Sequence, residues 1–307
     1  MTKAEPIAAL CALAVLAGCG NDFDPYSRLT RLRVLAIASE PPAPAMGETA
    51  TLTPLLYAPE GTPTPTFAWS WCPAPGPASE GYPCLISEAE LAQGGVAVPP
   101  YDLGTGPTGA FQNTVPPEIL ARLCAGIPGS KEQPDCSNGF PVQIGLTVMG
   151  EGEPIRAVYT LYLRFDPATP PNRNPHLAGL SVLIDDTLQP LGDTPQAVLP
   201  RKVETKIQAD VPEEDAESYP GTDSAGNPAE VRERLTLSWF VESGDLHDSR
   251  TGFIDGVTTF ADATANRWKP ASEKDYPRDT ARIIVVVRDS RGGVAWRSGA
   301  ARIGAGP

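Results

Sequence analysis

Proline limits this chain before any other residue does. Its ring fixes φ at about −65° and removes the backbone N–H, so helix interiors and central strands reject it. The 307 residues hold 35 prolines, and 29 glycines add further breaks. Such punctuation suits short strands joined by turns and works against helical bundles.

Between the breaks, apolar residues recur at the two-residue period of a half-buried strand. Leu32, Val34 and Ile37 lie in a first short stretch, ended by Glu40-Pro41-Pro42-Ala43-Pro44 and a turn at Gly47-Glu48. Thr49 to Tyr57 reads as a second strand, with Leu52 and Leu55 or Leu56 inward and Pro54 marking an edge or a bulge. Thr66 to Cys72 places Phe67, Trp69 and Trp71 on one face. After a long interval, Val142, Ile144, Leu146 and Val148 share a face, Gly150-Glu151-Gly152-Glu153 makes a hairpin turn, and Ile155 to Phe165 returns.

The interval, residues 73–139, is a Pro/Gly-rich insertion. Two short helices are expected in it. Ser87-Glu88-Ala89-Glu90 has the form of a capping box ahead of Leu91. Pro116 and Pro117 open a second helix, and Gly126 ends it. Residues 167–176 form a stiff Pro-rich linker, expected to hold the second half of the chain further out.

The second half repeats the plan. Strands are expected at Leu177 to Ile184, Lys202 to Ala209, Leu235 to Phe240, Thr280 to Arg288 and Val294 to Ile303. Pro212 to Pro228 reads as an acidic loop. Each half has a Trp-centred strand and a terminal hairpin. The expectation is an all-β protein with two Ig-like β-sandwich domains in tandem, over 31–166 and 177–305, the first carrying the disulfide-containing insertion.

The N-terminus reads as an export signal. Lys3 supplies a positive start, Ile7 to Val15 is apolar, and Leu16-Ala17-Gly18-Cys19 comes next. A run this short falls below the roughly 20 apolar residues of a spanning helix and fits a cleaved signal peptide. The tetrad resembles the lipobox of bacterial lipoproteins. The resemblance implies removal of residues 1–18, acylation of Cys19, a lipidated tether over 19–30, and the lipid bilayer as a partner. Each buried CH₂ contributes about 0.8 kcal/mol, so several acyl chains anchor firmly. Gly20, rather than Asp, after the cysteine implies the outer membrane by the same resemblance.

Cysteine usage agrees with an oxidising compartment. Beyond Cys11 and Cys19, Cys72, Cys84, Cys124 and Cys136 remain, an even number available for disulfides. Local pairs, Cys72 with Cys84 and Cys124 with Cys136, are favoured over nested Cys72–Cys136 and Cys84–Cys124. A zinc site lacks close Cys spacing and a neighbouring histidine.

Ser238-Trp239-Phe240, Asn266-Arg267-Trp268-Lys269-Pro270, the valine run at 285–287 and Asp289-Ser290-Arg291-Gly292-Gly293 form a series. It resembles the C-terminal Ig-like domain of a group of bacterial lipoproteins and, more distantly, PKD and cadherin-like modules. The match to PKD modules is partial, because Glu242-Ser243-Gly244-Asp245-Leu246 stands where they carry Gly-Asp-Gly.

Little here points to catalysis, and no cofactor, metal or enzymatic activity is expected. His176 and His247 are the only histidines, and no Gly-x-Ser-x-Gly elbow, P-loop or paired-histidine motif occurs. The net charge of −13 opposes binding to nucleic acid. Calcium is the specific alternative, through Glu213, Glu214, Asp215, Asp245, Asp248 and Asp255, weighed against plain solvated loops. Trp69, Trp71 and Trp239 read as core, whereas Trp268 and Trp296 are candidates for exposed rings that stack on sugars. A non-enzymatic module is expected, which binds, adheres or supports within the cell envelope, with an envelope protein or glycan as partner. The alternatives are an accessory subunit of a larger envelope assembly and, third, a carbohydrate-binding or hydrolytic protein.

Overall fold

The computed structural model describes residues 25–93, 97–126, 134–150, 152–166, 170–222 and 227–304. The expected signal segment, Cys19 and the first part of the tether lie outside the described residues.

The first half forms β1 (Arg33–Glu40), β2 (Thr49–Tyr57), β3 (Thr66–Cys72), α1 (Glu88–Gln93), β4 (Asp102–Gly104), β5 (Gly109–Gln112), α2 (Pro117–Cys124), β6 (Phe140–Met149) and β7 (Ile155–Leu163). Two sheets result, ordered β1-β2-β5 and β4-β3-β6-β7. On β6 the expected alternation is complete: Val142, Ile144, Leu146 and Val148 are buried and the residues between them are not. Pro54 sits opposite Ile37 of β1, while β5 pairs only with Thr49 to Leu52, so the missing N–H falls where β2 has no second neighbour.

The insertion between β3 and β6 contributes to the sandwich it interrupts. β4 and β5 add a strand to each sheet, and Phe111 on β5 is fully buried. Both short helices form. Ser87 and Glu90 satisfy one another as the capping box requires, with Ser87 N donating to Glu90 Oε2 at 2.7 Å and Glu90 N to Ser87 Oγ at 3.3 Å. The carbonyls of Gly106 and Pro100 accept the indole N–H groups of Trp69 and Trp71 at 3.0 and 2.9 Å. These bonds let two large polar-tipped rings be buried without a stranded donor.

The second half forms β8 (Gly179–Ile184), β9 (Thr187–Pro190), β10 (Val198–Pro200), β11 (Thr205–Asp210), β12 (Ser218–Thr222), β13 (Pro228–Arg232), β14 (Leu235–Val241), β15 (Asp245–Leu246), β16 (Arg250–Phe253), α3 (Phe260–Ala263), β17 (Ala265–Lys269), β18 (Thr280–Arg288) and β19 (Val294–Gly304). The sheets run β15-β17-β11-β8-β9 and β10-β19-β18-β14-β16. Taken in chain order, β8, β11, β17 and β15 occupy the A, B, E and D places of an immunoglobulin-like sandwich, and β14, β18 and β19 occupy C, F and G. In the first half β1, β2 and β5 stand at A, B and E, and β3, β6 and β7 at C, F and G. Strand order therefore makes both halves Ig-like.

Each sandwich has its own apolar core, and the second is held without a disulfide. Trp239, on the C strand, is fully buried and donates to Thr251 Oγ1 at 2.9 Å. Two expected boundaries shift. Lys202 adopts φ +62° in a turn, so the strand begins at Thr205. The acidic loop from Pro212 contains a short helical turn at Glu213–Asp215 and the strand β12, which pairs antiparallel with β13.

The two sandwiches are joined through a third apolar cluster. Leu29, Leu35, Ala36 and Tyr57 pack there against Phe240, Ile284, Val286 and Val294. The linker does not hold them apart. Asn174 Nδ2 donates to Ser39 O at 2.8 Å, while Asn174 Oδ1 accepts from Val294 N at 2.8 Å. One amide thus bonds both halves, and proline stiffness acts to fix the joint rather than to extend it. The tether also ends earlier than expected, because Val241 N donates to Ser27 O at 2.9 Å.

Candidate functional site

A cleft of about 780 Å³ opens where the two sandwiches and the N-terminal segment meet. Arg28, Tyr57, Lys202, Glu242, Lys269 and Tyr276 are among the residues lining it. Its floor is rigid. Trp268 is fully buried beneath it and donates Nε1 to Ser243 O at 2.7 Å, and Ser243 Oγ accepts from Ala271 N at 3.2 Å. Gly244 comes next, at φ +74°, and a Cβ there would come within 2.0 Å of the Lys269 carbonyl. Only glycine permits that approach. Arg201 fixes the far wall by donating to the Tyr276 and Arg278 carbonyls, each at 2.8 Å.

Glu242 is the electrostatic centre. Its carboxylate accepts from Tyr57 Oη at 3.1 Å, from Arg282 Nε at 2.9 Å and from Arg282 N at 2.8 Å. Burial, and then the adjoining Glu242, push the Tyr57 phenol up to about 12. A tyrosine of one sandwich is thereby kept as a donor to a carboxylate of the other. Beside it, Arg28 Nη2 bonds Asp245 Oδ1 at 2.6 Å. Both oxygens of Glu242 are engaged, so the group positions its neighbours and is not poised as a general base. The cleft offers charges of both signs and phenol hydroxyls, the equipment of a polar binding surface.

A second polar cluster lies at the linker. Arg291, 4 % exposed, donates to Glu233 Oε1 at 3.2 Å and to Pro170 O at 2.8 Å. Asp289 Oδ1 accepts from the N–H groups of Arg291 and Gly293 at 2.8 and 2.7 Å, and Oδ2 accepts from Asn172 at 3.2 Å. Burial, and then the Asp289 charge, push the Glu233 carboxyl up to about 8. Tyr159 of the first sandwich donates to Gly292 O at 2.7 Å in the same turn. The Asp-x-x-Gly-Gly sequence thus caps a hairpin and forms part of the joint.

The four cysteines form the local disulfides Cys72–Cys84 and Cys124–Cys136. Several of the acidic residues weighed for calcium face a basic side chain. Glu213 bonds Arg232 at 3.3 Å, Asp245 bonds Arg28, and Asp215 is buried against His176, with Nδ1 and Oδ1 at 2.9 Å. Among the described residues no group of three or more His, Cys, Asp or Glu side chains converges as a metal set. Trp268 corrects an expectation: it is core, not an exposed sugar platform, because its strand β17 lies between β15 and β11. Trp296 is half-buried and packs at the joint. Sequence reasoning missed Tyr57, Glu242 and Arg282, since their meeting depends on how two domains dock and leaves no local pattern.

No family model matches the chain, and no curated protein does. Solved structures that the chain matches include murine CEACAM1b, at 9% identity and TM-score 0.22, covering 87% of this chain and 100% of that one. The first eight Ig domains of Down Syndrome Cell Adhesion Molecule give 9% identity and TM-score 0.23, covering 90% of this chain and 25% of that one. The Yersinia pseudotuberculosis adhesin InvE gives 12% identity and TM-score 0.19, covering 87% of this chain and 58% of that one. At such low scores the immunoglobulin-like assignment rests on the strand order of the chain itself.

Proposed function

We propose that the chain is a membrane-anchored, non-enzymatic binding module of the cell envelope. Acylated Cys19 holds it, and its two docked sandwiches offer one contact surface to an envelope protein or glycan. The observation that carries this reading is the course of Ser27 to Leu29. A few residues beyond Cys19, the chain enters the seam between the sandwiches and bonds Val241. An anchor at Cys19 would therefore act on both sandwiches as one body. Recognition falls to the loops and clefts that a rigid sandwich positions, with the Glu242 cleft foremost.

The test is metabolic labelling of expressing cells with a clickable palmitate analogue. The wild-type chain takes up label and sediments with membranes, and Cys19→Ala does neither. Equal labelling of the two would remove the anchor. Crosslinking in intact cells, read by mass spectrometry, then identifies the partner. Lys269→Glu at the cleft rim lowers its yield while the fold is retained. An unchanged yield would move recognition to another surface.

A further inference from the structure

The outer face of the β14, β16 and β18 sheet changes character along its length. Phe240 faces Ile284 and Ser238 faces Val286, and this half is covered by the first sandwich. Further along, Thr236 stands opposite Arg288 and Ser238 opposite Arg250, and Arg234 continues the row. There the face is left open as a groove of about 490 Å³ lined by Arg234, Arg250 and Arg288. Gly252, between them, leaves the floor without a side chain, and Tyr26 forms a rim.

These arginines are not neutralised by one another's surroundings. Arg288 donates to two uncharged oxygens, Leu35 O at 2.8 Å and Ser238 Oγ at 3.3 Å. Arg33, close by, lies over the Tyr26 ring at 4.6 Å, and Arg250 lies over the same ring at 5.7 Å. Among the described residues no carboxylate forms an ion pair with Arg33, Arg234, Arg250 or Arg288. Asp289 also lines the groove, where its oxygens accept from the backbone N–H groups of Arg291 and Gly293 and from the Asn172 amide and form no ion pair with the groove arginines. Burial chiefly lowers the Arg288 pKa; Tyr26 opposes the shift, and the charge of Arg250 adds a smaller push in the same direction as burial. In a chain of net charge −13 such a cluster runs against the average surface.

We propose that this groove binds a phosphate-bearing group. Guanidinium forks match phosphate oxygens in bidentate geometry, and several of them around one cavity suit a multiply charged oxyanion better than a single carboxylate. The volume exceeds that of a bare phosphate, so the group is carried on a larger body, whose apolar part meets the exposed Ile254. A phospholipid headgroup and a soluble phosphorylated compound share this chemistry.

The experiment uses the full chain with Cys19→Ser, so that no acyl anchor contributes and the outcome is independent of lipidation. One arm titrates inorganic pyrophosphate by calorimetry. The other measures co-sedimentation with phosphatidylcholine vesicles with and without phosphatidylglycerol. Binding in the first arm alone assigns a soluble ligand, and binding in the second assigns a headgroup. In the arm that binds, Arg250→Gln and Arg234→Gln, both at exposed positions, weaken affinity by about tenfold each, consistent with losing one charge-assisted contact. Arg297→Gln, exposed outside the groove, leaves it unchanged. Arg250→Gln remaining folded by circular dichroism makes the loss interpretable, with Arg234→Gln as the second reading. Absence of binding in both arms at millimolar ligand overturns the proposal. So does equal binding by wild type and both groove variants, or an equal loss with Arg297→Gln.

Discussion

The backbone N–H of Leu29 donates to the Val241 carbonyl at 2.8 Å, and the Leu29 side chain is 2 % exposed. The segment nearest the expected anchor is therefore part of the domain joint. Leu29→Ala removes apolar contacts from a cluster shared by both sandwiches and leaves a cavity, at a cost of about 2–5 kcal/mol. Denaturant unfolding of the soluble chain checks the size. Hydrogen exchange checks the place: faster exchange at Val241 and Leu35 is expected, with the centre of β6 unaffected at first.

Both disulfides close short loops of twelve-residue separation, Cys72–Cys84 tying the insertion to the end of β3 and Cys124–Cys136 lying within the insertion. Each limits the unfolded chain, and opening one costs about 2–4 kcal/mol. Cys84→Ser and Cys136→Ser are each expected to lower the unfolding midpoint of the first sandwich and leave the second unchanged. Peptide mapping without reduction should give Cys72 with Cys84 and Cys124 with Cys136. A Cys72–Cys136 peptide would overturn the observed pairing.

Much of the fold was legible because burial imposes periodicity. Val142 to Val148 alternates in sequence as it does in space, and the valine run of β18 fits a strand between two neighbours. The helix signals were local and were met locally, at Ser87 with Glu90 and at Pro117. What sequence did not disclose was long-range. β5 is four residues within a Pro/Gly-rich stretch, and only its pairing to β2 marks it as a strand. The Glu242 cleft joins Tyr57 to a carboxylate 185 positions away. Trp268 misled because its strand is flanked by charge: Arg267 and Lys269 are exposed, while the residue between them is the most deeply buried of the three.

The tryptophans give a contrast between core and seam. Trp268→Ala empties a fully buried site and strands the Ser243 carbonyl under the cleft floor. A loss of about 3–5 kcal/mol is expected. Trp296→Ala, at a half-buried position on the seam, should cost clearly less and change domain docking more than core stability. Differential scanning calorimetry separates the two, since a core lesion lowers the transition of the second sandwich. Equal effects from both substitutions would contradict the assigned burial.

Glu233 links the joint to pH. Its carboxyl titrates at about 8 in the folded chain and near 4.5 when unfolded. Below about 4.5 both states carry the proton and burial of the carboxyl costs little. As pH rises, the unfolded chain releases its proton first, so this residue's contribution to stability falls up to about pH 8 and is constant above it. Each pKa unit of separation corresponds to about 1.4 kcal/mol, so the loss reaches several kcal/mol as an upper bound. Arg291 opposes the shift, while Asp289 and Glu217 reinforce it. Glu233→Gln keeps an acceptor for Arg291 without a titrating proton. Subtracting its stability curve from that of the wild type should therefore give a wild-type advantage that declines between pH 5 and pH 8, the interval set by the two titrations. A difference that grows with pH would mean that the Arg291 contact holds Glu233 ionised in the fold.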